Sequence, residues 1–290
     1  MTTAAAADPK ELVTNAIKKV SSIATLPEVT AHIVKTVEDP KSTASQLHKI
    51  VSHDPALVTR ILKVVNSAFY GLPGQIGSVE RAIVLLGLNA VKNIAVAASL
   101  GQLFRGVTLC EGYTARDLWT HCIAVGVAAR DLAKRMKVAV VDEAFLAGMI
   151  HDIGMLVSLQ VWPDKLREVC EAARNSDREF CEIEREVMGV DHQMLGQGLA
   201  EQWKFPRTTQ LVAGYHHRPQ ALGDDNRLLT TLVYVADTIV CQQGRGFNLT
   251  ALHQQLDGEL LGRIELEQDV IDRTAAGLEQ LMTVADGLFT

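Results

Sequence analysis

The sequence of this 290-residue chain is poor in aromatic residues, which make up 5% of it, and in proline, of which it has eight. Sheet-rich domains use aromatic and β-branched residues in alternating patterns, and little alternation is present here. The apolar 48% of the chain is dominated by alanine, leucine and valine. This composition favours helices over an aromatic-rich β-sandwich. We therefore predict an all-α fold.

Positive charge is also scarce. Lysine and arginine together number 28, against 34 aspartates and glutamates, which gives a formal net charge of −6 at pH 7. No basic cluster resembles the stripe that a duplex-binding protein presents to phosphates. We therefore expect no binding to duplex nucleic acid. The composition does not exclude the binding of a short substrate in a local pocket.

Cysteine is sparse, and a leader segment and an uninterrupted apolar run are not found. Scattered cysteines without CxxC spacing are typical of a reducing cytoplasm and argue against a thiolate zinc site. The N-terminus lacks a basic segment followed by an apolar stretch and a cleavage site. The long apolar stretch from Ala82 to Phe104 contains Lys92 and Asn93, so it predicts a buried helix rather than a membrane span. We expect a cytoplasmic protein that does not bind a membrane. The five cysteines are at positions 110, 122, 170, 181 and 241.

Apolar residues instead recur at helical spacing along most of the chain. The less regular segment from Gly106 to Thr114 divides the predicted helices into an N-terminal bundle, residues 1–108, and a C-terminal bundle, residues 109–290. The predicted helices cover residues 10–25, 28–38, 43–51, 55–66, 78–104, 117–134, 142–159, 163–175, 180–188, 192–203, 206–215, 228–241 and a last one from about 267.

One short motif stands out, His151-Asp152-Ile153-Gly154, which follows the apolar stretch Ala144 to Ile150. An ionised carboxylate buried without a partner is costly, or it becomes protonated. A cation bound between the imidazole and the carboxylate removes that cost. A second pair, His53-Asp54, is better explained by helix capping, because Asp54 fits an N-cap and Pro55 fits the first helical position. A His-Asp pair by itself is therefore weak support for a metal site.

The second half of the chain carries further side chains of metal-ligand type. Imidazole and carboxylate together suit iron, manganese, zinc, nickel or cobalt, rather than magnesium or calcium alone. Because there are more such residues than one metal needs, we expect one or two metal ions. Asp152 could bridge a pair that activates a water and holds a phosphoryl oxygen. The candidate ligands are His121, His151, Asp152, His192, His216, His217 and Asp237.

Each candidate also has a structural alternative. His121 could be a core histidine satisfied by Asp117, four residues earlier on the same helix face. His192 could belong to a helix cap, and His216-His217 could lie in a solvated loop. Asp237 could cap a helix or pair with an arginine. Buried polar groups need partners. A metal site would therefore be absent only if every one of these structural alternatives were true at once.

The order of these residues resembles the HD phosphohydrolase superfamily, and its HD-GYP branch in particular. The first half resembles the HDOD domain, the HD-related output domain of bacterial signalling proteins. The similarity extends from about Ile23 to Gln243. It rests on four segments of the first half, Leu26-Pro27 to His32, Asp54-Pro55-Ala56-Leu57, Val65-Asn66-Ser67-Ala68-Phe69-Tyr70-Gly71 and Ala82 to Gly87.

This resemblance implies an all-helical regulatory module whose members often lack parts of the ligand set, whereas this chain retains it. Two features depart from the active HD-GYP pattern. Met155 stands where active relatives commonly carry lysine, and the segment from Arg218 to Gly223 lacks the Gly-Tyr-Pro loop of cyclic-di-GMP hydrolases. Metal binding is therefore better supported than cyclic-di-GMP hydrolysis.

We interpret the chain as a signal-transduction output module of the HDOD family, regulatory and non-catalytic, with a retained HD-type metal site. We expect it to contact signalling proteins through its N-terminal bundle, with a nucleotide as a further candidate ligand. The alternative is a metal-dependent phosphohydrolase or phosphodiesterase acting on a nucleotide or cyclic nucleotide. In that case Asp152 would be the catalytic residue, and Arg218 would contact phosphate.

Overall fold

The computed structural model of the protein describes residues 8–23, 28–39, 41–67, 69–104 and 108–282. These residues form sixteen α-helices, three short 3-10 turns and one two-stranded hairpin. The prediction of an all-α fold is confirmed. The predicted chain break at Leu26-Pro27, Ala68 of the resemblance motif and Gly106 of the predicted boundary lie outside the described residues.

Six helices form the first part of the chain, and short polar side chains cap three of them. Thr43 and Gln46 form a reciprocal capping box at the start of α3, Asp54 caps α4 and Ser78 caps α5. These caps satisfy backbone N–H groups that have no partner within the helix. The bounds are α1 Pro9–Ile23, α2 Glu28–Glu38, α3 Ala44–Val51, α4 Pro55–Val65, α5 Val79–Leu86 and α6 Leu88–Leu100.

The predicted helix over residues 78–104 is wrong in its continuity. α5 ends at Leu86, and Gly87 takes a φ of +89° before α6 begins. That backbone conformation is not helical and is readily adopted only by glycine. A 3-10 turn, Gly101–Phe104, then follows α6.

The second part of the chain begins with a hairpin of β1 and β2, within the segment that the sequence marks as irregular. The predicted helix over residues 142–159 is two helices, α8 and α9, separated at His151 and Asp152. The short helix α15 has no counterpart in the sequence prediction. The bounds are β1 Thr108–Cys110, β2 Tyr113–Thr114, α7 Ala115–Met136, α8 Val141–Ile150, α9 Ile153–Val161, α10 Pro163–Arg174, α11 Phe180–Met188, α12 His192–Gln202, α13 Arg207–Tyr215, α14 Arg227–Gln242, α15 Gly258–Arg263 and α16 Gln268–Leu281.

The long helix α7 is the centre of the second part, where it packs against α8, α14 and α16. α12 packs against α9 and α13, so the helices that carry the candidate ligands surround one core. α6 packs against α8 across the predicted domain boundary, and α1 packs against α9 and α12. The first helix therefore lies with the second part of the chain, and the division at residue 108 stays a prediction.

One segment of the described residues, Val141–Val161, is long and apolar enough to cross a membrane, and 94% of its most apolar window is buried inside the protein. It is not the stretch from Ala82 to Phe104 that the sequence singles out. Core helices of this length and composition meet the same criterion, and this segment is interrupted by the His151-Asp152 break. Its burial fits a core position.

The first His-Asp pair has the capping role that the sequence predicts. Oδ1 of Asp54 accepts a hydrogen bond from the backbone N–H of Leu57 at 2.9 Å. Nδ1 of His53 lies 2.5 Å from the carbonyl oxygen of Lys49. Both interactions are local to the N-terminal helices, so this pair is separate from the candidate ligands.

We predict that Asp54→Ala lowers the free energy of unfolding by about 1 kcal/mol, because α4 loses its N-cap. Urea unfolding followed by circular dichroism measures this change. Asp54→Asn is the control, since an asparagine still accepts the bond from Leu57, and it should retain most of the stability. A loss of bound metal in Asp54→Ala would contradict the capping role.

Candidate metal centre

Seven buried side chains converge where five parts of the chain meet. One comes from the middle of α7, two from the junction of α8 and α9, and one from the start of α12. Two follow the end of α13, and one comes from the middle of α14. All are fully buried except the ring of His217, which is 9% exposed. They are the seven that the sequence predicts as ligands, His121, His151, Asp152, His192, His216, His217 and Asp237.

The helix break at the His-Asp pair aims the Asp152 carboxylate at this cluster. α8 ends at Ile150 and α9 begins at Ile153. Asp152 occupies the N-cap position of α9, yet its side chain makes no capping hydrogen bond. Asp54 at the equivalent position does cap its helix. The Asp152 carboxylate is therefore left to face the histidines.

Gly154, the last residue of the motif, allows α9 to approach α12 closely. A Cβ atom at position 154 would lie 1.9 Å from the carbonyl oxygen of His192 and 2.6 Å from the backbone nitrogen of Gly196. No side chain can be accommodated at such distances without moving a helix. The motif needs glycine here because this contact brings His192 beside Asp152.

One group of ligand atoms comprises His121, His151, Asp152 and Asp237. Nε2 of His121 lies 3.2 Å from Nε2 of His151 and 3.2 Å from Oδ1 of Asp237. Oδ2 of Asp152 lies 3.6 Å from Nε2 of His121 and 3.5 Å from Nε2 of His151. Atoms that bind one metal at about 2.1 Å are separated by roughly 3.0–3.4 Å in octahedral or tetrahedral geometry. This group can therefore hold a metal ion.

The other group is richer in nitrogen and uses the second oxygen of Asp152. Oδ1 of Asp152 lies 3.3 Å from Nε2 of His192 and 3.3 Å from Nε2 of His216. Nε2 of His192 lies 3.2 Å from Nε2 of His216 and 3.1 Å from Nε2 of His217. The two carboxylate oxygens of Asp152 thus face different groups. This is the arrangement of a carboxylate that bridges two metal ions.

Backbone carbonyl groups behind two of the rings fix which nitrogen carries the hydrogen. Nδ1 of His151 lies 2.6 Å from the carbonyl oxygen of Gly148, and Nδ1 of His216 lies 3.1 Å from that of Val212. A carbonyl oxygen only accepts, so Nδ1 is the donor in both rings. Nε2 of each neutral ring then presents its lone pair to the cluster, as a metal ligand must.

Side-chain oxygens orient two further rings in the same way. Nδ1 of His192 lies 2.6 Å from Oε2 of Glu184, which also accepts the backbone N–H of His192 at 2.9 Å. Nδ1 of His217 lies 2.8 Å from Oε1 of Gln254. Neither Glu184 nor Gln254 is identified by the sequence reasoning. For Glu184 a signal exists, since it is a charged residue on the buried face of the amphipathic helix α11.

Protons or metal ions must lie between these facing acceptors. Burial lowers the pKa of His151 to about 4 and that of His217 to about 3, so both rings are neutral at pH 7. Burial opposes a charge on His121 and His192 too, but carboxylates beside them, Asp237 and Glu184, raise their pKa values. A metal ion bound at these rings would have to replace any proton on the ligand nitrogen.

Unsatisfied oxygen atoms support a metal pair over protons alone. Among the described residues, Oδ1 of Asp152 and Oδ2 of Asp237 are buried and have no hydrogen-bond partner. Such atoms are costly in a protein interior unless a cation contacts them. The donor set, its spacing and these oxygens together fit two metal ions.

A segment after α14 encloses the cluster. Oγ1 of Thr250 lies 3.5 Å from Oδ2 of Asp152, and Gln254 contacts His217. Between this segment and the start of α11 lies a pocket of about 30 Å³ that is bounded by Phe180, His217 and Thr250, among others. A pocket of this size has room for about two water molecules.

The structure also tests the non-metal roles considered for His121, His192 and His216. Asp117 forms a capping box with Thr114 instead of contacting the His121 ring. Asp191 does cap α12, while the ring of His192 beside it still faces the cluster. His216 is buried rather than solvated.

Two other side chains bear on phosphate binding. Arg218 is exposed, and its guanidinium lies over the ring of Tyr215 at 5.4 Å from the centroid, so the structure does not bring it to the candidate ligands. Met155 is fully buried in α9.

Sequence comparison identifies similarity to one family and one curated relative. The HDOD domain model matches residues 23–219. An uncharacterized protein of Treponema pallidum (strain Nichols) is 25% identical over 262 residues, which are 89% of this chain and 49% of that protein. The chain thus spans about half the length of the curated relative that it matches.

Solved structures show the same fold. An HDOD domain protein of unknown function from Geobacter sulfurreducens superposes with a TM-score of 0.81 at 20% identity, over 97% of this chain and 99% of that chain. A candidate phosphohydrolase from Shewanella amazonensis SB2B gives a TM-score of 0.74 at 22% identity, over 94% of this chain and 98% of that chain. At these identities the similarity establishes the fold alone.

We predict that Gly154→Ala separates α9 from α12 and displaces His192, because the new methyl group would occupy the position of a backbone carbonyl. Metal content per folded chain should fall, and thermal stability should fall with it. Gly277→Ala is the matched control, since a Cβ atom there meets nothing within 4 Å. Unchanged metal content in folded Gly154→Ala would contradict this role of the close contact.

Proposed function

This chain belongs to the HDOD domain family, and on that premise we propose that it is a regulatory signal-transduction module that binds metal without hydrolysing a phosphoester. One observation carries the proposal. Five imidazoles converge on the two oxygens of Asp152, and the pocket beside them measures about 30 Å³.

The donor atoms suggest which metals bind. The group around His121 offers two imidazole nitrogens and two carboxylate oxygens, which suit manganese or iron. The group around His192 offers three imidazole nitrogens and one oxygen, which suit iron, zinc, nickel or cobalt. We therefore propose a pair of first-row transition metals in which the nitrogen-rich position binds the softer ion.

Three features argue against hydrolysis of a nucleotide. Pockets that bind such ligands usually measure several hundred Å³, whereas the pocket beside His217 measures about 30 Å³. Met155 is buried and supplies no cation for a phosphate. Arg218 lies over Tyr215. In this conformation the pocket beside His217 is too small for a phosphodiester of nucleotide size.

The partner-facing surface belongs, in our proposal, to the N-terminal helices. Among the described residues, the large apolar side chains that stand out by exposure include Val84, 73% exposed, and Leu85, 38% exposed. Both are on α5, one helix before α6, which packs against α8. We place the contact with signalling proteins on this face of α5, because exposed apolar residues that adjoin each other are typical of interaction sites.

A second candidate function is the metal-dependent phosphohydrolase. It is favoured by the bridging position of Asp152, which would hold two metal ions as hydrolysis of a phosphoester requires. The Shewanella amazonensis structure of the same fold is named as a candidate phosphohydrolase. This function needs an opening of the segment that covers the cluster, from residue 249 to residue 254.

We predict that the purified protein contains close to two metal ions per chain by elemental analysis. Asp152→Ala should lose most of both, since it removes the shared ligand. His217→Ala should lose about half, because His217 belongs to one group only. Asp117→Ala is the control and should retain the metal. A parent protein that takes up no transition metal under any loading condition would refute the proposed site.

We also predict that the metal-loaded protein does not turn over nucleotides, cyclic nucleotides or cyclic dinucleotides faster than Asp152→Ala does. Product formation is measured by chromatography, with metal content verified in each sample. Turnover that depends on both the metal and Asp152 would show instead that the second candidate function is correct.

A further inference from the structure

We propose that the enclosed metal centre receives its signal as a small anion of about three non-hydrogen atoms or fewer, which enters the pocket between Phe180 and the segment Leu249–Gln254. This inference rests on the proposed metal binding and goes beyond it, because it names the class of ligand. Residues of the pocket, rather than the metal ligands, set the size limit.

The first argument is volume. The pocket measures about 30 Å³. A single water needs roughly 10–15 Å³ on the same measure, so about two waters or a ligand of similar size fit. Phe180, Leu249 and Ala251 form its buried wall, and the exposed residues Arg178, Glu179, Leu252 and His253 form its outer side. A close-packed wall of this kind does not yield to a larger ligand without a cost in stability.

The second argument is position. His217, a candidate ligand, lines the pocket, and so does Thr250, whose hydroxyl lies 3.5 Å from Oδ2 of Asp152. A ligand in the pocket is therefore next to the nitrogen-rich group and near the bridging carboxylate.

The third argument is charge. Two divalent metal ions would carry more positive charge than Asp152, Asp237 and the buried Glu184 neutralise, and the five imidazoles add none when they are neutral ligands. The excess charge is buried, where electrostatic attraction is weakly screened. A small anion therefore binds better than a neutral molecule of equal size.

Hydrogen bonds connect the covering segment, Leu249–Gln254, to the candidate ligand His217 and to the helices around the cluster. Gln254 accepts a hydrogen bond from Nδ1 of His217 at 2.8 Å and donates one to Oγ1 of Thr238 at 2.6 Å. Just before the segment, the backbone N–H of Phe247 bonds the carbonyl oxygen of Asp117. A ligand that shifts His217 or Thr250 therefore acts on α14 and α7 through the segment.

Titration of the cobalt(II)-loaded protein with azide tests the inference, with the visible absorption of cobalt as the signal. Azide should cause a saturable change, and inorganic phosphate, which has more atoms, should cause none and should not compete. Ala251→Leu, which fills the pocket, should weaken azide binding by about tenfold or more while cobalt stays bound. Leu249→Ala, which enlarges the pocket, should gain a response to phosphate.

Leu260→Ala is the matched control for Leu249→Ala, since Leu260 is also buried but does not line the pocket. It should respond to azide as the parent does and should not gain a response to phosphate. Phosphate binding by the parent as tight as azide binding would overturn the inference, and so would bound cobalt that does not respond to azide. Failure to bind cobalt at all would refute the proposed function instead.

Discussion

The structure depends on one electrostatic constraint, the neutralisation of a carboxylate that is completely buried where five parts of the chain meet. Asp152 cannot cap α9, because its two oxygens face two sets of histidines. Removing it from water is costly, and the cost falls only if cations approach both oxygens. The break between α8 and α9, the glycine after it and the acceptors behind the rings all serve that arrangement. These features explain why a motif of four residues organises such a large part of the core.

Much of the fold was predictable from periodicity and capping. α2 and α11 have the predicted bounds, and Asp54 and Ser78 cap the helices that they were expected to open. The prediction of one helix over residues 142–159 is wrong because the apolar pattern continues through the break, and only tertiary contacts distinguish a buried helix from a buried kink. The packing of α1 on α9 and α12 was not predictable either, because the apolar face of an amphipathic helix does not specify which helix it packs against.

The candidate site shows the same limits. Residue type and order identified the seven side chains that converge. The N-cap pattern of Asp54 followed by Pro55 distinguished the capping pair His53-Asp54 from the candidate ligand pair His151-Asp152. Glu184 and Gln254 were missed because a residue that orients a ligand has no fixed spacing from it in sequence. The enclosure of the cluster was also not predictable, since it arises from an irregular segment whose course is set by contacts with α7 and α14. That enclosure is what favours a regulatory role over hydrolysis.

The central claim is that two metal ions share the carboxylate of Asp152. Anomalous diffraction from crystals of the metal-loaded protein, recorded at the absorption edge of the bound metal, tests it most directly. The account predicts two anomalous peaks about 3.5–4 Å apart, one beside each oxygen of Asp152, with His121 and His151 around one peak and His192, His216 and His217 around the other. The absence of anomalous density at Asp152 in crystals that contain stoichiometric metal would contradict it.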